Sequence, residues 1–146
     1  MPVESSRRLQ IDPEAIARAE EALAAMAVNF EEWLRVEIVR LQDAFQAIRG
    51  QGQNDATMEA LYHRAHDLKG LGSTYGYPII SQIAGTLCRL IDTVEKRRAA
   101  PLDLVEVHVE SIKAAARNKI TSDEDATGRA LVKALESKVR TFDPEG

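Results

Sequence analysis

The sequence predicts an all-α protein, an antiparallel four-helix bundle with additional helices at its N- and C-terminal ends. Three observations carry this. Apolar residues recur at spacings of three and four along most of the chain. Helix-start signals, a capping side chain or a proline at the first helical position, precede most of the periodic runs. No segment alternates apolar and polar residues over a useful strand length, and no glycine-rich phosphate loop precedes a helix.

Composition narrows the class further. Of 146 residues, 45% are hydrophobic and only 5% aromatic, which suits one domain with an aliphatic, alanine-rich core. Residues 11–146 are expected to form that domain, behind a flexible tail over residues 1–10 that lacks periodicity. Nineteen basic residues against 23 acidic ones give a net charge of −4, without a basic run long enough to track a phosphate backbone. Nucleic acid is therefore not an expected partner. Cys88 is the only cysteine, which excludes an intrachain disulfide and a cysteine-built metal cluster and fits a reducing interior. No stretch approaches the roughly 18 uncharged apolar residues of a membrane span, and Met1–Arg8 lacks the apolar run of a secretory signal. A cytoplasmic monomer is expected.

Each element has its own signal. Asp12 as N-cap, Pro13 at the first helical position and Ile11 placed to staple onto Ile16 start a first helix that reaches about Val28. Asn29 with Glu32 offers a second cap, so either a new helix starts there or the first continues. Phe30, Leu34, Ile38, Leu41, Phe45 and Ile48 then form one apolar stripe. The run from Arg49 to Asp55, rich in glycine and amides, ends it. A third helix spans about Asp55 to Thr74. Gly76-Tyr77-Pro78 starts a fourth, with Ile79 or Ile80, Ile83, Leu87, Leu90 or Ile91, and Val94 inward, closed by Glu95-Lys96-Arg97-Arg98. Pro101 opens a fifth around Leu104 or Val105, His108, Ile112 and Ala115 or Ala116. Ser122, followed by three acids, starts a last helix with Leu131, Leu135, Val139 and Phe142 inward.

The third helix has two faces of different kind when projected at about 100° per residue. Met58, Leu61, Ala65, Leu68, Leu71, Gly72 and Tyr75 lie on one side; Glu59, Tyr62, His63, His66, Lys69, Gly70 and Ser73 lie on the other. His66 thus projects outward while Ala65 and Leu68 anchor the helix. A neutral imidazole is a nucleophile near neutral pH, and phosphorus is an electrophile it attacks. Lys69, three residues on, brings a mobile positive charge to the same face. Gly70, four residues on, leaves room for a phosphoryl group or an incoming active site, which accounts for a residue that costs about 1 kcal/mol in a helix.

His66-Asp67-Leu68-Lys69-Gly70, followed by five residues and Gly76, resembles the His-x-Leu-Lys-Gly-x5-Gly signature of histidine-containing phosphotransfer (HPt) domains. The resemblance implies a four-helix bundle over about residues 29 to 120 or beyond, flanked by the remaining helices. It makes His66 the phosphorylated residue, at Nε2, Lys69 the stabilising cation, Gly70 the clearance position and Gly76 the turn glycine. The implied reaction is reversible phosphoryl transfer with an aspartate on a response-regulator receiver domain. That partner supplies the acidic pocket and Mg²⁺, and this chain has no cofactor or nucleotide site of its own. A hybrid histidine kinase is a further implied partner.

Many members of that family carry a glutamine 22 residues after the histidine, where this chain has Cys88. A thiol is a poor donor and acceptor, so the group that orients His66 is left open, with Arg89 and Gln82 as alternatives. Tyr62, His63 and Ser73 extend the exposed face as docking residues. His63 and His66 form a His-x-x-His pair, but no further metal donor is identified, so no metal site is assigned. Asp67 points about a quarter-turn away and reads as solvated, while Cys88 and His108 read as packed and inert. The alternative to a phosphoryl carrier is a non-phosphorylated helical adaptor that binds a receiver or another signalling domain by its surface.

Overall fold

The computed structural model describes residues 12–142. Six helices succeed one another: α1 (Pro13–Gln51), α2 (Asp55–Thr74), α3 (Pro78–Leu90), α4 (Val94–Ala99), α5 (Leu102–Arg117) and α6 (Ala126–Phe142), with no strand among the described residues. They form a helical bundle in which short turns make α1, α2 and α3 antiparallel neighbours.

The first two expected helices are one. Asp12 accepts a hydrogen bond from the Glu14 N–H at 3.1 Å, Pro13 occupies the first turn, and α1 then runs for 39 residues through Asn29. Without a glycine or proline there, an asparagine costs the helix only a few tenths of a kcal/mol, too little to break it. The staple expected from Ile11 lies outside the described residues. Leu34, Ile38, Leu41, Phe45 and Ile48 are buried as their spacing predicts, and Phe30 is half-buried. Upstream the same face is uncovered, with Ile16, Leu23 and Met26 exposed. At about 1.5 Å per residue α1 is roughly twice as long as the 20-residue α2, so its first half outreaches the packed layer. Gly52, at φ 97°, ends it with its N–H on the Ile48 carbonyl.

α2 starts from a capping box. The Asn54 side chain accepts from the Thr57 N–H at 2.9 Å, and the Thr57 hydroxyl accepts from the Asn54 N–H at 3.1 Å. It ends in a Schellman turn: the Tyr77 N–H reaches the Gly72 carbonyl (2.7 Å), the Gly76 N–H reaches Ser73 (3.1 Å), and Gly76 takes φ 90°. Pro78 then opens α3.

Two boundaries differ from expectation. The fourth helix does not reach Arg98. Ile91 turns into the core as the C-cap of α3, and Thr93 starts a separate short helix, α4, by accepting from the Lys96 N–H at 3.1 Å. Val94 is consequently 41% exposed and not on the stripe. The last helix begins at Ala126, because Asp125 caps it, accepting from the N–H groups of Thr127 (2.9 Å) and Gly128 (3.2 Å). Ser122 instead forms the preceding turn, its carbonyl accepting from the Asp125 N–H. Val132, Leu135 and Val139 are buried, Leu131 is half-buried, and Phe142 is 55% exposed and off the stripe.

α3 is the central element, packed against α2, α5 and α6. Two glycines permit this. A Cβ on Gly72 would lie 2.7 Å from the Ser81 backbone nitrogen and Oγ, and one on Gly128 would lie 2.5 Å from Ile79 Cδ1. Ile79, Ile80, Ile83, Ala84, Leu87 and Leu90 fill the space around α3. Each isoleucine or leucine among them contributes about 1.5–3 kcal/mol by leaving water.

His108 is 0% exposed within this core. Its Nδ1 lies 2.8 Å from the Leu104 carbonyl and so carries the proton, whereas Nε2 has no partner among the described residues. Burial pushes its pKa below the ordinary 6.5. The unfolded chain therefore binds the extra proton first. Stability is fully present above pH 6.5 and falls as the pH drops from there towards the lower folded value. Urea unfolding at pH 7.5 and pH 5 should show a loss for the parent of up to about 2 kcal/mol from this group. His108→Leu should shrink that loss; equal losses in both proteins would rule the assignment out.

Candidate functional site

The inner face of α2 determines what its outer face presents. Met58, Leu61, Ala65, Leu68 and Gly72 are buried, so the helix has one rotational setting. Glu59, His63, His66, Lys69, Gly70 and Ser73 are consequently exposed, and Tyr62 is half-buried.

His66 is the twelfth of the 20 residues of α2. Among the described residues neither of its ring nitrogens has a hydrogen-bond partner. Its imidazole lies beside the Tyr62 ring, with centroids 5.9 Å apart and planes at 40°. This contact arises from helix geometry, since side chains lean towards the N-terminus and a residue meets the one four positions earlier. Lys69 makes no ion pair among the described residues. Its ammonium acts on the Cys88 thiol, slightly opposing the burial that pushes that thiol up to about 11. Cys88 is thus a buried, neutral thiol at physiological pH. A Cβ on Gly70 would meet nothing within 4 Å among the described residues, so their packing gives no reason for a glycine there.

The other residues on this face have ordinary neighbours. His63 approaches the Glu59 carboxylate at 3.5 Å and the edge of the Tyr62 ring at 5.9 Å. No group of three or more His, Cys, Asp or Glu side chains suited to a metal occurs among the described residues. Asp67 faces Arg64 at 3.8 Å, away from His66. Ser73 is exposed but tied to α3: its N–H and its hydroxyl both donate to Ser81 Oγ, at 2.8 and 3.1 Å. Gln82 is exposed and its side chain makes no hydrogen bond among the described residues, and Arg89 is half-buried.

One neighbour of the site is not foreseen by the sequence pattern. The Arg97 guanidinium on α4 lies over the Tyr62 ring, 4.6 Å from its centroid. In the sequence Arg97 is one of a run of cations that reads as a helix-dipole complement. Only the break at Ile91 and the restart at Thr93 bring it back over α2.

The outward face of α2 therefore offers a solvent-accessible imidazole, an ammonium one turn on that is unpaired among the described residues, and an open position beside them. No helix among the described residues is long and apolar enough to cross a membrane. No curated protein and no solved structure matches the chain. The family model of the Hpt domain matches residues 13–136, from the first turn of α1 into α6. Domains of this kind interact with receiver domains of response regulators and with kinases. The match covers most of the chain, which thus belongs to the Hpt domain family and has a phosphotransfer role in two-component signalling.

Proposed function

We propose that the protein carries a phosphoryl group on His66 and exchanges it with the phosphorylated aspartate of response-regulator receiver domains. The observation that carries this reading is the position of His66: fixed at the exposed centre of α2, with both ring nitrogens free of hydrogen-bond partners among the described residues. In the transfer, the lone pair of Nε2 attacks the phosphorus of the receiver's aspartyl phosphate. The P–N bond forms as the P–O bond to the aspartate breaks, and the aspartate leaves as a carboxylate. The reverse step regenerates the acyl phosphate.

Lys69 is the counter-charge. Its ammonium neutralises part of the charge on the phosphoryl oxygens, most usefully when that charge is spread in the transition state. Gly70 supplies clearance, since any side chain there would stand in the path of the incoming receiver. Mg²⁺ belongs to the receiver's acidic pocket, and this chain supplies the imidazole, the ammonium and a docking face that includes His63 and Ser73. A hybrid histidine kinase bearing a receiver domain is one source of the phosphoryl group. The site of action is the cytoplasm, with the protein acting as a monomeric carrier and not as a catalyst with its own nucleotide site.

A receiver domain loaded with labelled phosphate should transfer the label to the parent protein in a form stable to base and labile to acid. His66→Gln should abolish that transfer. Full labelling of the variant would exclude His66, and tight receiver binding with no transfer to the parent would favour an adaptor. Lys69→Ala should slow single-turnover transfer by about 10- to 100-fold, the scale of losing one stabilising charge, with an unchanged helical circular dichroism spectrum. Equal rates would remove Lys69 from the reaction.

A further inference from the structure

We infer that Tyr62, clamped by Arg97, is the positioning residue for the His66 imidazole, taking the place of a hydrogen bond to the ring. The inference rests on the phosphoacceptor reading of His66 and adds how that ring is aimed.

An exposed histidine with free nitrogens would sample several rotamers. Only some of these present a nitrogen in line with an incoming phosphorus, so restricting them raises the rate of transfer. Cys88, a buried neutral thiol, is ill suited to that task. Tyr62 is suited by contact: its ring lies against the imidazole at 5.9 Å and 40°. The Tyr62 hydroxyl makes no hydrogen bond among the described residues, so the ring face alone is engaged.

Tyr62 would restrain nothing if it moved freely, and α4 prevents that. The Arg97 guanidinium covers its ring at 4.6 Å, and Arg97 Nε donates to the Ile91 carbonyl at 2.9 Å, at a residue wholly within the core. α4 is itself fastened to the start of α2 by two further contacts. Gln53, in the turn before α2, donates from Nε2 to the carbonyls of Arg97 (2.8 Å) and Ala100 (2.9 Å). Arg98 makes a two-pronged bond to Asp55, the first residue of α2, at 3.1 and 2.8 Å. A single exposed ion pair would add little. Here the contacts converge on one short helix, and its Arg97 is laid over the ring that flanks His66.

Two measurements on the full chain test this, using Tyr62→Phe, Tyr62→Leu and Arg97→Met. In NMR, the His66 Hδ2 and Hε1 resonances should carry a ring-current displacement in the parent and in Tyr62→Phe. Tyr62→Leu should lose it and show averaged χ1 couplings, and Arg97→Met should fall between. In rapid-quench transfer from a phosphorylated receiver domain, Tyr62→Leu should lower the saturating rate about 3- to 10-fold, the scale of one aromatic contact. Its half-saturating receiver concentration should stay within about twofold of the parent's, and Tyr62→Phe should restore the rate. Unchanged His66 resonances in Tyr62→Leu, or a loss confined to the half-saturating concentration, would overturn the inference. A parent that accepts no label would overturn the phosphoacceptor reading and this role with it. A labelled parent matched by Tyr62→Leu would overturn positioning alone.

Discussion

The close approach of α2 to α3 sets everything the outward face of α2 presents. Gly72 has no side chain because Ser81 occupies the place where one would be. The Ser81 hydroxyl then accepts both the N–H and the hydroxyl of Ser73, which ties the helices together at that level. With Leu61, Ala65 and Leu68 buried on the same side, α2 has one rotational setting, and that setting puts His66 into solvent. Rotating α2 by about 100°, one residue's worth, would bury a charged residue and expose a leucine, at a cost of several kcal/mol. The position of the imidazole is thus a by-product of core packing.

Much of this was legible in the sequence because it is local. The apolar stripe of α1, the anchor residues of α2 and the turn at Gly76 arise from helical period and glycine conformation, which act within a few residues. The Hpt domain match over residues 13–136 agrees with the family suggested by the spacing from His66 to Gly76. Features that were not legible depend on distant partners or on competition between neighbouring caps. Asn29 looks like a cap, but helical residues on both sides of it carry α1 straight through. Thr93 and Asp125 prevail as caps over continuation and over Ser122, because Ile91 is drawn into the core and Gly128 must sit against Ile79. Arg97 meets Tyr62 and Gln53 meets Arg97 across 35 and 44 residues, separations at which no spacing rule operates.

The three glycines around the site show how differently one residue type is used. Gly72 is required by the fold, since a side chain would collide with α3. Gly76 is required by backbone conformation, at φ 90°. Gly70 is required by neither, because a Cβ there would meet nothing within 4 Å among the described residues. An unforced glycine in a helix loses about 1 kcal/mol for no structural return, which is the physical ground for assigning it to an approaching partner. The same contrast separates the histidines. His108 is packed with one nitrogen satisfied, His63 leans on a carboxylate, and His66 alone among them is aimed at solvent with neither nitrogen engaged among the described residues.

The proposed function turns on one atom, so the decisive experiment resolves atoms. The full chain, labelled with ¹⁵N at its histidine rings, would be incubated with a receiver domain, Mg²⁺ and a small acyl phosphate, and observed by ³¹P and ¹H–¹⁵N NMR. A single phosphoramidate resonance coupled to Nε2 of His66 is expected, with the rings of His63 and His108 unchanged. A phosphoryl group on either of those rings, or none on the chain while the receiver itself is phosphorylated, would refute His66 as the acceptor.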